Sequence, residues 1–176
     1  MAKRSLKSLI GRSALAGFAA GTAIVALQQA VAQGIAAHDS NAPVNYAADR
    51  IELQDKQNRV VLSGNVEIAQ AGLHLSAARV TVAYTDTGSL AIQRIDATGG
   101  VTVSRGNERA SGSVAVYDFN RRVIIMSGNV HLARGGDTLN GGRLVIDLRS
   151  GLSTVDGAGG SRGGRVSGTF SVPGQQ

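Results

Sequence analysis

The stretch that decides the fold is Leu62-Ser63-Gly64-Asn65-Val66-Glu67-Ile68, because the chain repeats it. It returns as Ala97-Thr98-Gly99-Gly100-Val101-Thr102-Val103 and as Met126-Ser127-Gly128-Asn129-Val130-His131-Leu132, with a fainter fourth copy starting at Val155-Asp156-Gly157. Gly64 to Gly99 is 35 residues, and Gly99 to Gly128 and Gly128 to Gly157 are 29 each. A period of about 30 residues marks stacked units that cannot bury their apolar faces alone, so attention moves from single residues to a shared surface.

The register extends beyond the phrase. Ten positions after each phrase valine stands a small or polar residue, Ser76, Ser111 or Asn140, and an apolar alternating run follows: Val80-Thr81-Val82-Ala83-Tyr84, Ala115-Val116-Tyr117-Asp118-Phe119 and Leu144-Val145-Ile146-Asp147-Leu148. From Arg50 onward the pattern is period two, β-branched, and punctuated by Gly, Asn and Asp, which predicts short antiparallel strands joined by tight turns. No stretch beyond the leader reads helical.

Taking the phrase glycine as the register mark, one parity is apolar: Val60, Leu62, Val66 and Ile68; Ile95, Ala97, Val101 and Val103; Ile124, Met126, Val130 and Leu132. The opposite parity, Val61, Ser63, Asn65 and Glu67 in the first copy, is mostly polar. Successive strand side chains point to opposite faces, so stacked copies align into one apolar wall. The downstream runs supply a second: Val80, Val82 and Tyr84; Ala115, Tyr117 and Phe119; Leu144, Ile146 and Leu148. Either wall alone would leave an apolar face wet, so the two are expected to face each other. The small-residue stretches Ser76-Ala77-Ala78 and Asn140-Gly141-Gly142 are expected where the chain bends between walls, and Gly64, Gly99 and Gly128 at bulges or close backbone approaches.

The first 32 residues carry Lys3, Arg4, Lys7 and Arg12 and no acid, then the apolar run Ala14 to Leu27, then Ala30-Val31-Ala32. This reads as a cleaved secretory signal peptide over 1–32, its apolar run too short for the roughly 20 residues of a spanning helix. The 18 Lys and Arg less these four leave 14 against 12 Asp and Glu, so the rest of the chain is near +2, not +6. Its basic residues are scattered, which gives no footprint for nucleic acid. With no cysteine, disulfide, thiolate-metal and thiol-redox chemistry are excluded. The expected order is a flexible start over 33–42, one β domain over 43–157, and a Gly-rich segment over 158–176 with a last strand at 165–172.

His38, His74 and His131 sit in no pattern that makes a metal site or a triad, and neither catalytic nor metal-binding residues nor a cofactor are expected. Asp118 and Asp147 recur at equivalent positions; paired carboxylates can run glycoside chemistry, but repetition along a stack argues for a turn role. The glycines of 157–164 lack the following helix and Lys-Ser/Thr pair of a phosphate loop. Arg105 and Arg134 close the second and third copies where the first has Gln70. They are either charged hairpin ends that keep an edge soluble or contacts to the head group of a large anionic ligand.

The leader, the opening Pro43-Val44-Asn45-Tyr46-Ala47-Ala48-Asp49-Arg50-Ile51-Glu52-Leu53, and the iterated Ser-Gly-Asn-Val phrases together resemble the OstA-like, or LptA, family of periplasmic lipopolysaccharide transport proteins. The resemblance covers Pro43 to about Gly157. It implies an all-β fold, an open folded-over β-jellyroll whose groove shelters the acyl chains of lipopolysaccharide (lipid A). It implies a periplasmic bridge between the membranes, with LptC-like and LptD-like partners and further copies of itself joined by end-to-end strand pairing. The groove residues are then the two walls above without their alanines, with Arg105 and Arg134 as head-group contacts. The alternatives are a structural β-solenoid that self-assembles through its ends, and an exported polysaccharide-acting enzyme using Asp118 or Asp147.

Overall fold

The computed structural model describes residues 34–157 and 164–172; the expected signal peptide over 1–32 lies outside them. Ten antiparallel strands form one sheet: β1 (Asn45–Ala47), β2 (Arg50–Gln54), β3 (Arg59–Gln70), β4 (Leu73–Asp86), β5 (Leu90–Arg105), β6 (Glu108–Asp118), β7 (Val123–Arg134), β8 (Asp137–Asp147), β9 (Ser153–Asp156) and β10 (Ser167–Thr169). β3 to β8 pair in sequence order; β1 and β2 both lie on the outer edge of β3, and β9 and β10 both on the outer edge of β8. Tight turns suit this ladder. Ala71 and Gly72 (φ 45° and 80°) give the left-handed pair that matches the twist of a two-residue hairpin.

Each phrase is a bulge. Ser63 pairs with Arg79 and Val66 with Ala77, so Gly64 and Asn65 stand opposite Ala78 alone. Gly99 and Gly100 stand likewise opposite Ser113, and Gly128 and Asn129 opposite Gly142. Both inserted residues take positive φ in every copy: 76° and 44°, 85° and 77°, 82° and 49°. Only Gly, and at lower cost than other residues Asn, enters that region readily, which is why the phrase reads Gly-Asn or Gly-Gly. The bulge glycines are also crowded: a Cβ on Gly99 would lie 2.6 Å from that of Ala78, and one on Gly64 would collide with Asp49.

The bulges correct the expected arrangement of walls. Val60 pairs with Val82 and Leu62 with Val80, so the phrase strands and the downstream runs are neighbours in one layer, not opposed walls. The fold line instead crosses each of β3 to β8 near its middle, and the short strands β1, β2, β9 and β10 each belong to one half. One half holds Leu62, Val80, Ile95, Ala97, Ala115, Tyr117, Ile124, Met126, Leu144 and Ile146; the other holds Val66, Ile68, Leu75, Ala77, Val101, Val103, Ala110, Val130 and Leu132. All are buried in one apolar cluster. Ser76-Ala77-Ala78 and Asn140-Gly141-Gly142 do bend the chain, but inside β4 and β8. At that corner two consecutive residues, Ala78 and Arg79 in β4 or Ser113 and Val114 in β6, are exposed together.

Within the segment expected to be flexible, 33–42, the described residues hold one ordered turn. Ile35–Ala37 forms a 3-10 turn and Ile35 is completely buried, because an isolated aliphatic residue finds the apolar cluster and polar partners hold the backbone around it. At the other end β10 lies within the expected 165–172, and the fourth copy is β9, pairing Val155 with Leu144. On the outer face Val61, between Glu52 and Thr81, is buried rather than exposed.

Candidate functional site

The two halves of the folded sheet enclose a column of aliphatic side chains that runs across all the strands. Of the groove residues named from sequence, Leu62, Val66, Ile68, Val80, Ile95, Val101, Val103, Tyr117, Ile124, Met126, Val130, Leu132, Leu144, Ile146 and Leu148 are buried in it, and Val60, Val82 and Phe119 pack against it half-covered. Tyr84 lies half-buried where the column opens. The middle is tightly packed. Among the described residues the buried polar side chains are His38, Gln70 and Glu108, and all three lie on the rim, not along the column.

Both ends are open. At the β1–β2 end a cavity of about 370 Å³ is lined mainly by apolar side chains, Val44, Tyr46, Leu53, Val60, Leu62, Ile68, Val82, Tyr84, Leu90 and Ile92, with the carboxylates Asp55 and Asp86 at its mouth. Tyr46 pairs with Ile68, Ile51 with Leu62 and Leu53 with Val60, so these three share the inward face of the sheet, yet nothing covers them: they are 57%, 44% and 69% exposed. At the β9–β10 end Leu132, Leu139, Val155 and Phe170, together with the polar Arg134, Asp137, Thr138 and Ser153, line a smaller cavity of about 170 Å³. Uncovered inward-facing aliphatic residues at both ends of a packed column are what an extended apolar ligand, or a continuation of the same column, requires.

The long edges of the folded sheet form a seam. The hairpin ends of one half carry Gln70, Arg105, Glu108 and Arg134, and those of the other carry Tyr117, Phe119 and Arg122. Residues 34–42 lie between them. Ile35 N–H donates to Glu108 Oε2 (2.7 Å), Arg134 Nη2 donates to Glu108 Oε1 (2.9 Å), and Arg105 Nη1 donates to Gly34 O (2.9 Å). Gln70 Nε2 donates to Ser40 O and Ala42 O, which leaves Gln70 Oε1 to accept from His38 Nε2 at 2.8 Å. From across the seam Arg122 Nη2 donates to Asn41 Oδ1, and the ring of Tyr117 meets His38 edge-on, stacked in turn on Phe119. His38 is thus fixed in the tautomer with its proton on Nε2, and the buried Nδ1 has no partner. Burial, above all, pulls its pKa below 6.5; the Gln70 bond opposes this, the Arg105 charge reinforces it and the Asp39 charge opposes it.

Arg105 and Arg134 therefore sit at equivalent rim positions, but the structure engages them with the start of the chain: Arg105 through Gly34, Arg134 through the buried Glu108 carboxylate. Sequence reasoning missed Glu108, His38 and Ile35, which no periodicity marks. It also missed Leu73, Leu75, Ala77 and Ala110, which lie on the other parity of β4 and β6 beyond the corner.

Asp118 and Asp147 are turn residues. Asp118 Oδ1 accepts from Arg121 N (2.9 Å), and Asp147 Oδ1 accepts from Arg149 N (2.8 Å) and Ser150 N (3.0 Å), bonds that hold the Asp147 carboxyl below its usual pKa. His131 is exposed and bonds Asn140 on the neighbouring strand. Among the described residues no group of three or more His, Asp or Glu is placed to hold a metal ion, and no helix is long and apolar enough to cross a membrane.

Known proteins share this fold. The fold matches the crystal structure of LptH, the LptA homologous periplasmic component of the lipopolysaccharide transport device from Pseudomonas aeruginosa. The TM-score is 0.67 at 20% identity, covering 77% of this chain and 99% of that one. An uncharacterized protein of Rhizobium meliloti (strain 1021) is 28% identical over 125 residues, 67% of each chain. Residues 46–152, which span the sheet from β1 to the start of β9 and so contain all three complete phrases, match the family described as LptA/(LptD N-terminal domain) LPS transport protein. The chain is a member of this family of lipopolysaccharide transport proteins.

Proposed function

We propose that the protein carries lipopolysaccharide through the periplasm by sheltering its acyl chains in the aliphatic column, and that the column is continued from one protein to the next. The observation that carries this is the uncovered apolar surface at both ends: Tyr46, Ile51 and Leu53 at one, and at the other Phe170, beside the half-buried Leu139 and Val155. Burial of each methylene is worth about 0.8 kcal/mol, so a multi-chain lipid is held firmly by an unspecific surface. The edges of β1–β2 and β9–β10 offer unpaired backbone groups to a second copy, to an LptC-like protein on the inner membrane and to an LptD-like protein on the outer. The basic, acid-free leader and the absence of cysteine fit export. Arg134, bonded to Glu108 but half exposed, has a guanidinium fork suited to a phosphate, which supports a head-group contact there.

The test is a photo-crosslinking residue at Ile68 or Val82, which line the open cavity, with Glu67, exposed on the outer face, as control. Transport predicts a lipopolysaccharide adduct at Ile68 and Val82 and none at Glu67. Equal adducts at all three, or none, would sink the groove reading; end-to-end filaments without any adduct would favour a purely structural solenoid.

A further inference from the structure

The seam of the groove is closed by the chain itself, and the closure is built to be weak. Residues 34–44 belong to no strand; their one regular element is the single turn Ile35–Ala37, with Ala37 N–H donating to Gly34 O. Segments with few backbone bonds to the rest of the fold open at far lower free energy than a sheet ladder. Yet the segment carries one completely buried aliphatic side chain, Ile35, that belongs to the same cluster as the column. Its polar partners Gln70, Arg105 and Glu108 all stand at hairpin ends of one half, and His38 and Asn41 reach the other half at Tyr117 and Arg122.

We propose that residues 34–42 are a displaceable strap: Ile35 occupies, in the empty protein, space that an acyl chain takes on loading, and lipid enters along the seam by lifting the strap from Gln70, Arg105 and Glu108. This rests on the reading of the column as the acyl-chain site. A strap that competes with lipid lowers the apparent affinity by the fraction of molecules in which it is open, so loosening the strap tightens lipid binding. Gly34 supplies a clean way to loosen it. Its backbone (φ −68°, ψ 174°) is open to any residue, but a Cβ there would collide with Glu108 Oε2, so alanine acts by pushing the strap outward without strain in the sheet.

The experiment measures hydrogen exchange of residues 35–42 in the intact protein with and without lipopolysaccharide micelles, alongside crosslinking from Ile68. The proposal expects the Ile35 amide to be protected in the empty protein and to exchange about tenfold faster when lipid is bound, while the β4–β7 ladder stays protected. Gly34→Ala and Ile35→Ala are each expected to bind lipopolysaccharide about three- to tenfold more tightly. Crosslinking at Ile68 with unchanged strap exchange, and with both variants binding as the parent does, overturns the strap and leaves the groove standing. Loss of crosslinking in the parent protein overturns the groove and the strap with it.

Discussion

Gly128→Ala tests whether the repeated phrase is there for backbone geometry. Two costs add. At φ 82° a Cβ meets the following carbonyl, which costs about 1 kcal/mol relative to glycine. The new Cβ would also lie 2.5 Å from Ser113 Oγ and 2.7 Å from Ser113 Cβ on the neighbouring strand, and overpacking of that kind costs about 1–3 kcal/mol. Rotating the hydroxyl relieves only the first contact and gives up the bond that Ser113 Oγ donates to Gly128 O. The sum is about 2–4 kcal/mol, seen in urea unfolding as a midpoint lowered by about 1–2 M at unchanged slope. Gly100→Ala supplies the comparison, since Gly100 has φ 77° but a Cβ there meets nothing within 4 Å; only the backbone cost of about 1 kcal/mol applies. Adding Ser113→Gly to Gly128→Ala removes the clash and is expected to recover part of the stability, to within about 1 kcal/mol of Gly100→Ala, since the variant also gives up the Ser113 bond and puts a glycine inside a strand. Equal midpoints for Gly128→Ala and Gly100→Ala, or no recovery on adding Ser113→Gly, would refute the account of the bulge as a close approach of two strands.

Leu144, fully buried between Met126 and Val155, separates core from groove: Leu144→Ala is expected to cost about 2–5 kcal/mol in chemical denaturation, whereas Val82→Ala, half-covered beside the open cavity, costs about 1 kcal/mol or less. His38 makes the strap sensitive to acid. Its folded pKa lies below 6.5, so the unfolded or lifted segment binds the proton more readily; the stabilisation is whole above pH 6.5 and is lost as pH falls through the folded value. Asp39 and Arg105 act on His38 with opposite sign, and Tyr117 faces it as a neutral phenol, its pKa raised by burial. The protection of the Ile35 amide relative to its intrinsic exchange rate is therefore expected to fall between pH 7 and pH 5, and His38→Gln to flatten that dependence.

How far the fold was legible follows from what the bulge does to side-chain parity. In the phrase strands the extra residue makes the step from Leu62 to Val66 even, so inward positions stay on one parity and periodicity alone found them. The partner strand has one residue fewer in that interval. It passes from Val80 to Ala77, and every inward residue beyond the corner, Leu75 and Leu73 included, changes parity. A reading that carries one parity through β4 loses them. The same count misplaced the walls, because a bend inside a long strand and a bend between two short strands leave identical small-residue stretches in sequence. The strap was illegible for a different reason. Ile35 is one aliphatic residue without a periodic neighbour, and the carboxylate that receives its amide, Glu108, stands 73 positions later at a hairpin end where charge is ordinarily solvated. Nothing local marks a buried acid whose partners arrive from the far end of the chain.

The bulge also bears on why such a column suits transit over capture. Two left-handed residues against one on the neighbour turn each strand's apolar face toward itself, and repetition at β3, β5 and β7 sets the corners at equivalent places along the fold. The space between the halves is then bounded by equivalent aliphatic rows, Val66, Val101 and Val130 on one side and Leu62, Ala97 and Met126 on the other. Polar groups that would fix a ligand at one level are confined to the rim, where the strap engages them. If acyl chains occupy this column as proposed, each buried methylene would gain about 0.8 kcal/mol at any level, so the energy would change little over one repeat. A hydrogen-bonding group in the middle of the column would deepen one position and raise the barrier to leaving it. On the proposed acyl-chain reading, the near absence of polarity along the column keeps binding strong and motion along the axis nearly level, which a carrier needs and a receptor does not.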